Sequence, residues 1–110
     1  MRYQYYNFKD GFVRMNACFD RVMEFFEIKR TTKTKTLDDL IKTFMNNGYT
    51  PILKDFSEKA TEAGEGVIVF VFDDQHGHVA PYRNGTYFDT IDMFHNAKIG
   101  SKFTVKMIEV

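Results

Sequence analysis

Residues 67 to 72 read Val-Ile-Val-Phe-Val-Phe, and this run restricts the fold more than any other stretch of the chain. A continuous series of β-branched and aromatic side chains marks a strand buried on both faces, so apolar layers must lie above and below it. Further along, Asn84-Gly85 separates residues 78–83 from 86–88. Both central residues of a type I′ turn need positive φ, which makes Asn-Gly the strongest short-range hairpin signal. Pro81 has no amide to give a ladder. Its strand is therefore expected either to lie at an edge or to point that nitrogen outward. A last strand is expected at about residues 102 to 109, where KFTVKMIEV alternates.

Ahead of the sheet the period is helical. Phe19, Val22, Met23 and Phe26 recur on one face of a predicted helix over residues 16 to 29. Asn16 suits its N-cap, which places Cys18 in the first turn. Lys29 to Thr36 is threonine-rich and basic, and reads as a solvated loop. Thr36 followed by Asp39 resembles a capping box, with Leu37, Leu40, Ile41 and Phe44 as the apolar face and Asn47-Gly48 as the stop. Residues 52 to 63 are predicted as a short helix between Pro51 and Gly64. Residues 1 to 11 read as a short strand or an ordered arm. The expected class is α+β over a single domain, 1–110, with N-terminal helices packed on an antiparallel sheet.

Composition narrows the function classes. The 110 residues are 44% hydrophobic, with twelve Phe, six Tyr and no Trp, enough for one aromatic-rich core. Fifteen basic residues balance fifteen acidic ones, so no overall field favours nucleic acid or an anionic membrane. The four basic residues between Lys29 and Lys35 do not alter that expectation. One cysteine excludes an internal disulfide framework and fits a reducing compartment such as the cytoplasm. No apolar run suggests a signal peptide or a membrane span. Gly64-Glu65-Gly66 is a turn rather than a phosphate loop.

Cys18 is the first candidate for chemistry. A thiolate is the reactive form, and a helix N-terminus stabilises it through free amides and the macrodipole. Free cysteines also serve as small buried hydrophobes, which is the competing reading. His78 opens a strand after Gly77, and Asp89 lies across the Asn84-Gly85 turn, a short diagonal away. A thiol nucleophile needs a base, and the base needs a group that fixes its tautomer. The plainer alternative makes His78 and Asp89 an ordinary surface hydrogen bond on a hairpin.

The string NACFDR, residues 16 to 21, followed by GHVAPYRNGTYFDTID, residues 77 to 92, resembles the small papain-like cysteine peptidase domains found in phage genomes. The resemblance implies a papain-like minimal domain with Cys18 as nucleophile, His78 as general base and acid, and Asp89 as the residue orienting His78. It also implies an oxyanion role for Asn16, in competition with the N-cap role, and a supporting role for Arg21 paired with an acid such as Asp92. Ala17 and Pro81 depart from the family pattern. The implied function is hydrolysis of a peptide or isopeptide bond, with no cofactor, in a viral setting and so in the host cytoplasm.

Two other readings follow from the residues. Asp73, Asp74, His76, His78 and His95 include a His-x-His pair that can bind zinc, but no second ligand pair at fixed spacing accompanies it. The functional alternative is a catalytically silent protein that keeps this fold and binds a host partner through an aromatic or acidic surface.

Overall fold

The computed structural model describes residues 1–9, 17–29, 34–99 and 102–110. Its strands are β1 (Arg2–Tyr5), β2 (Ile52–Asp55), β3 (Glu65–Val71), β4 (Gly77–Arg83), β5 (Thr86–Asp89) and β6 (Thr104–Glu109). Its helices are α1 (Ala17–Phe26), α2 (Leu37–Asn46), α3 (Glu58–Glu62) and α4 (Met93–Ile99). The class is α+β, as expected, with one six-stranded sheet in the order β1-β5-β4-β3-β6-β2. Neighbouring strands are antiparallel except β1 and β5, which run parallel. No helix among the described residues is long and apolar enough to cross a membrane.

The apolar run forms β3, with β4 along one edge and β6 along the other. The pleat sends alternate side chains to opposite faces. Val67 and Val69 pack with Val22 and Phe26 of α1 and with Leu40 and Phe44 of α2. Ile68 and Phe70 pack with Tyr82, Tyr87 and Met107, and with Met93 at the start of α4. Val67, Ile68 and Phe70 are fully buried, and each such side chain stabilises the fold by about 1.5–3 kcal/mol. Helices thus cover both faces of the sheet, whereas the sequence placed them all before it. The unforeseen helix is α4.

Local signals explain the helix ends. Thr36 and Asp39 form the expected capping box: Asp39 N donates to Thr36 Oγ1 at 3.1 Å, and Thr36 N donates to Asp39 Oδ2 at 3.2 Å. α1 stops at Phe26, short of the expected residue 29. Ile28 N donates to Met23 O at 3.0 Å and Glu27 N to Glu24 O at 3.1 Å, the closure of a Schellman motif with Glu27 left-handed at φ 54. The proposed N-cap, Asn16, lies outside the described residues.

Residues 52–63, expected as one helix, divide in two. Ile52 to Asp55 pair with β6 as an edge strand, and Ser57 then caps α3 through its side chain. The open edge of β6 offers these four backbones a ladder, which outweighs a helical pattern built on little apolar surface; Ile52 and Leu53 remain exposed.

Asn84 and Gly85 take φ 53 and 78, as a type I′ turn requires. β4 is not an edge strand, so only the second expectation for Pro81 holds: its nitrogen points away from β3.

Gly66 lies against the backbone of a neighbouring strand. A Cβ placed there would lie 1.9 Å from Ile108 O on the neighbouring strand. Gly66→Ala is therefore expected to destabilise the fold by about 3 kcal/mol, since strands β3 and β6 would have to separate. A urea midpoint unchanged from wild type would contradict this packing.

Candidate active site

The site forms where β3 runs into β4. Asp73 organises the turn between them: its Oδ1 accepts from Gln75 N at 2.7 Å and His76 N at 2.8 Å. His76 Nδ1 lies 2.9 Å from the same carboxylate. These amides and the imidazole hold the Asp73 carboxyl below its ordinary range. With the turn fixed, β4 starts at Gly77 and sets His78 opposite Phe70. The exposed imidazole of His76 is thereby spent on the turn, while that of His78 enters the fold.

His78 Nε2 lies 2.5 Å from Asp89 Oδ2. Asp89 is almost completely buried and the His78 side chain is only 19% exposed. The other carboxylate oxygen, Oδ1, accepts from Thr90 N at 2.7 Å, and the Thr90 hydroxyl lies 3.4 Å from it. The main-chain oxygen of Asp89 accepts from Tyr6 N at 3.0 Å and from the Tyr3 hydroxyl at 3.3 Å. The acid is consequently held from both its side chain and its backbone. Thr90 was not singled out by the sequence; its place in the Asp-Thr pair was visible, but spacing alone carries no sign of its role.

With Nε2 taken by Asp89, Nδ1 is the ring nitrogen left for Cys18. The thiol, half-buried in the first turns of α1, interacts with His78 by hydrogen bonding and by charge. Burial opposes charge on both groups. For His78 the Asp89 carboxylate and the Cys18 sulfur more than offset it, raising its pKa to about 9. For Cys18 the imidazole and the amides of Val79 and Phe19 prevail over burial and bring the thiol below its ordinary value. Both shifts move the pair toward a thiolate beside an imidazolium. A cavity of about 340 Å³ borders both groups, walled by Phe19, Leu37, Val69, Val71 and the 73–76 turn.

The remaining sequence candidates fall elsewhere. Asn16 lies outside the described residues. Arg21 places its guanidinium 5.9 Å from the Phe8 ring centre. Asp92 does not serve it, and no ion pair joins the two among the described residues. Asp92 Oδ1 accepts from the Tyr87 hydroxyl and from His95 N, both at 2.9 Å. That carboxylate caps α4, on the sheet face opposite α1, so Asp92 is not an acid that Arg21 meets. Asp73 and His76 form a turn, His78 faces Asp89, and His95 sits on α4. Among the described residues no group of three or more His, Cys, Asp or Glu side chains is arranged to hold a metal ion.

No family model, curated protein or solved structure matches the chain.

Two expected outcomes follow from the thiolate–imidazolium pair. Cys18 should alkylate with iodoacetamide at pH 6 much faster than a free cysteine, and His78→Ala should remove that advantage. Equal rates in the two proteins would mean that the imidazole does not activate the thiol.

The second concerns stability against pH. The raised pKa of His78 contributes stability that is complete below pH 6.5 and is lost as pH rises through about 9. The lowered pKa of Cys18 contributes above the ordinary thiol value of 9.0, and that share is lost as pH falls through its folded value. A thiolate–imidazolium pair carries as many protons as a thiol–imidazole pair, so in the wild type the two slopes oppose each other. Cys18→Ser leaves only the histidine share, supported by Asp89. Its urea midpoint should fall from pH 6.5 to 9 more steeply than that of the wild type, and parallel curves would rule out the shared proton.

Proposed function

We propose that this chain is a small cysteine hydrolase of papain-like type, cleaving a peptide or isopeptide bond. The observation that carries the reading is the position of His78, with Asp89 on one ring nitrogen and Cys18 beside the other. Each member has a defined task. Asp89 fixes the tautomer and orientation of the ring and offsets its positive charge. The Cys18 thiolate attacks the substrate carbonyl carbon, and the carbonyl electrons move onto oxygen. As the tetrahedral species collapses, the imidazolium of His78 gives its proton to the leaving amine, and a thioester remains on Cys18. Neutral His78 then takes a proton from water, whose oxygen attacks the thioester and releases the acid and the thiol. Amides in the first turn of α1 are suited to hold the oxyanion in both halves of the cycle.

A phage-type peptidase working in a reducing cytoplasm fits a chain with one activated thiol. The cavity that borders Cys18 and His78 is the place this reading gives to the substrate carbonyl.

The test is hydrolysis of a panel of fluorogenic peptide amides by the wild type and Cys18→Ser, with melting temperatures measured alongside. Serine keeps the size and polarity of the site but is a far weaker nucleophile. The expected result is a loss of roughly a thousandfold or more in kcat, with the melting temperature unchanged when it is measured at about pH 6, below the window in which the two proteins' stabilities diverge. A cellular phenotype that survives Cys18→Ser would instead support a binding protein that uses this fold without its chemistry.

A further inference from the structure

Pro81 departs from the pattern of the histidine strand and has no part in the steps above. The backbone of β4 gives it one. Asn84 N donates to Gly64 O at 2.9 Å, and at the other end Phe72 N donates to His76 O at 3.0 Å. Hydrogen bonding in an antiparallel ladder alternates sides along each strand, so the even-numbered residues of β4 address β3. The odd-numbered ones, Gly77, Val79, Pro81 and Arg83, face the side on which β5 lies. Continued past Arg83↔Thr86 and Tyr82↔Tyr87, the register would set Pro81 against Phe88 and Val79 against Thr90.

That continuation does not occur. Pro81 has no N–H for the rung at Phe88, and the pairing of β4 with β5 ends at Tyr82↔Tyr87. β5 itself runs on to Asp89, but against β1. The amide of Val79 is thereby left in a gap between two neighbouring strands, and what it meets there is the sulfur of Cys18.

We infer that Pro81 is a positioning residue for the nucleophile: by halting the β4–β5 ladder it keeps the Val79 amide out of the sheet and available to the Cys18 sulfur. The inference rests on the triad reading of Cys18, His78 and Asp89. A hairpin zipped through Val79 and Thr90 would give that amide to a carbonyl, and the thiolate would lose a donor. The proline therefore gives up one sheet hydrogen bond so that another group can use the next.

The test restores the missing amide with Pro81→Ala and follows iodoacetamide alkylation of Cys18 from pH 5 to 10. The expected result is alkylation about fivefold to tenfold slower at pH 6, as for the loss of one charge-assisted hydrogen bond. The rate plateau at high pH should be unchanged, and so should the melting temperature, or it should rise. A lower melting temperature with the wild-type pH profile would reduce Pro81 to a packing residue and overturn the inference. If Pro81→Ala does not fold, the wild type still decides. The Val79 amide resonance should shift as Cys18 titrates and should not do so in Cys18→Ser; an amide indifferent to the thiol overturns the inference. An ordinary thiol profile in the wild type would sink the triad reading itself, whereas an activated wild type matched by Pro81→Ala sinks this inference alone.

Discussion

The burial of β3 on both faces is the constraint to which the rest of the molecule answers. A strand with Val67, Ile68, Val69 and Phe70 in sequence cannot leave either side wet, so α1 and α2 cover one face and α4 covers the other. Its two edges are closed by β4 and β6. Charged groups are absent from the two clusters that pack on this strand and gather where it ends. The turn after β3 is the first place where carboxylates and imidazoles can be solvated or paired, and the candidate site lies there. Core and site are consequences of one boundary, between residues that must be dry and residues that must be satisfied.

At that boundary the balance of effects on His78 decides the chemistry. Burial alone would keep the ring neutral and the thiol beside it protonated. The buried Asp89 carboxylate reverses this because the ring lies directly in front of its Oδ2. Thr90 occupies Oδ1, so the carboxylate keeps a second partner without turning away from the histidine. Such an acid does not need an exposed position, and its near-complete burial strengthens its field at the ring.

The legibility of the sequence followed the strength of each local signal. The two-sided run, the Asn84-Gly85 turn and the Thr36–Asp39 capping box each have one low-energy solution, and each was readable. The pairing of His78 with Asp89 was readable because a two-residue turn sets the register around it. Residues 52–55 were misassigned because their pattern fits a helix or an edge strand, and only the open edge of β6 chooses between them. α4 was missed because its cap, Asp92, resembled a partner for Arg21. Pairing by charge alone takes no account of which face of the sheet each residue occupies. The gap between β4 and β5 was hidden for a related reason, since Pro81 reveals a missing donor but not which neighbour loses it.

β5 leans on β1 for its outer half, because β4 pairs with only Tyr87 and Thr86. The link is among the most distant in the chain: Arg2 and Thr86 are separated by 84 positions. Contacts of that range pay a large loop-closure entropy and tend to form late. Asp89 is held from two directions, by the short hairpin that leads into β5 and by a strand from the far end of the sequence. The carboxylate that faces His78 thus depends on a strand 84 positions away, and the first residues of the chain belong to the support of the site.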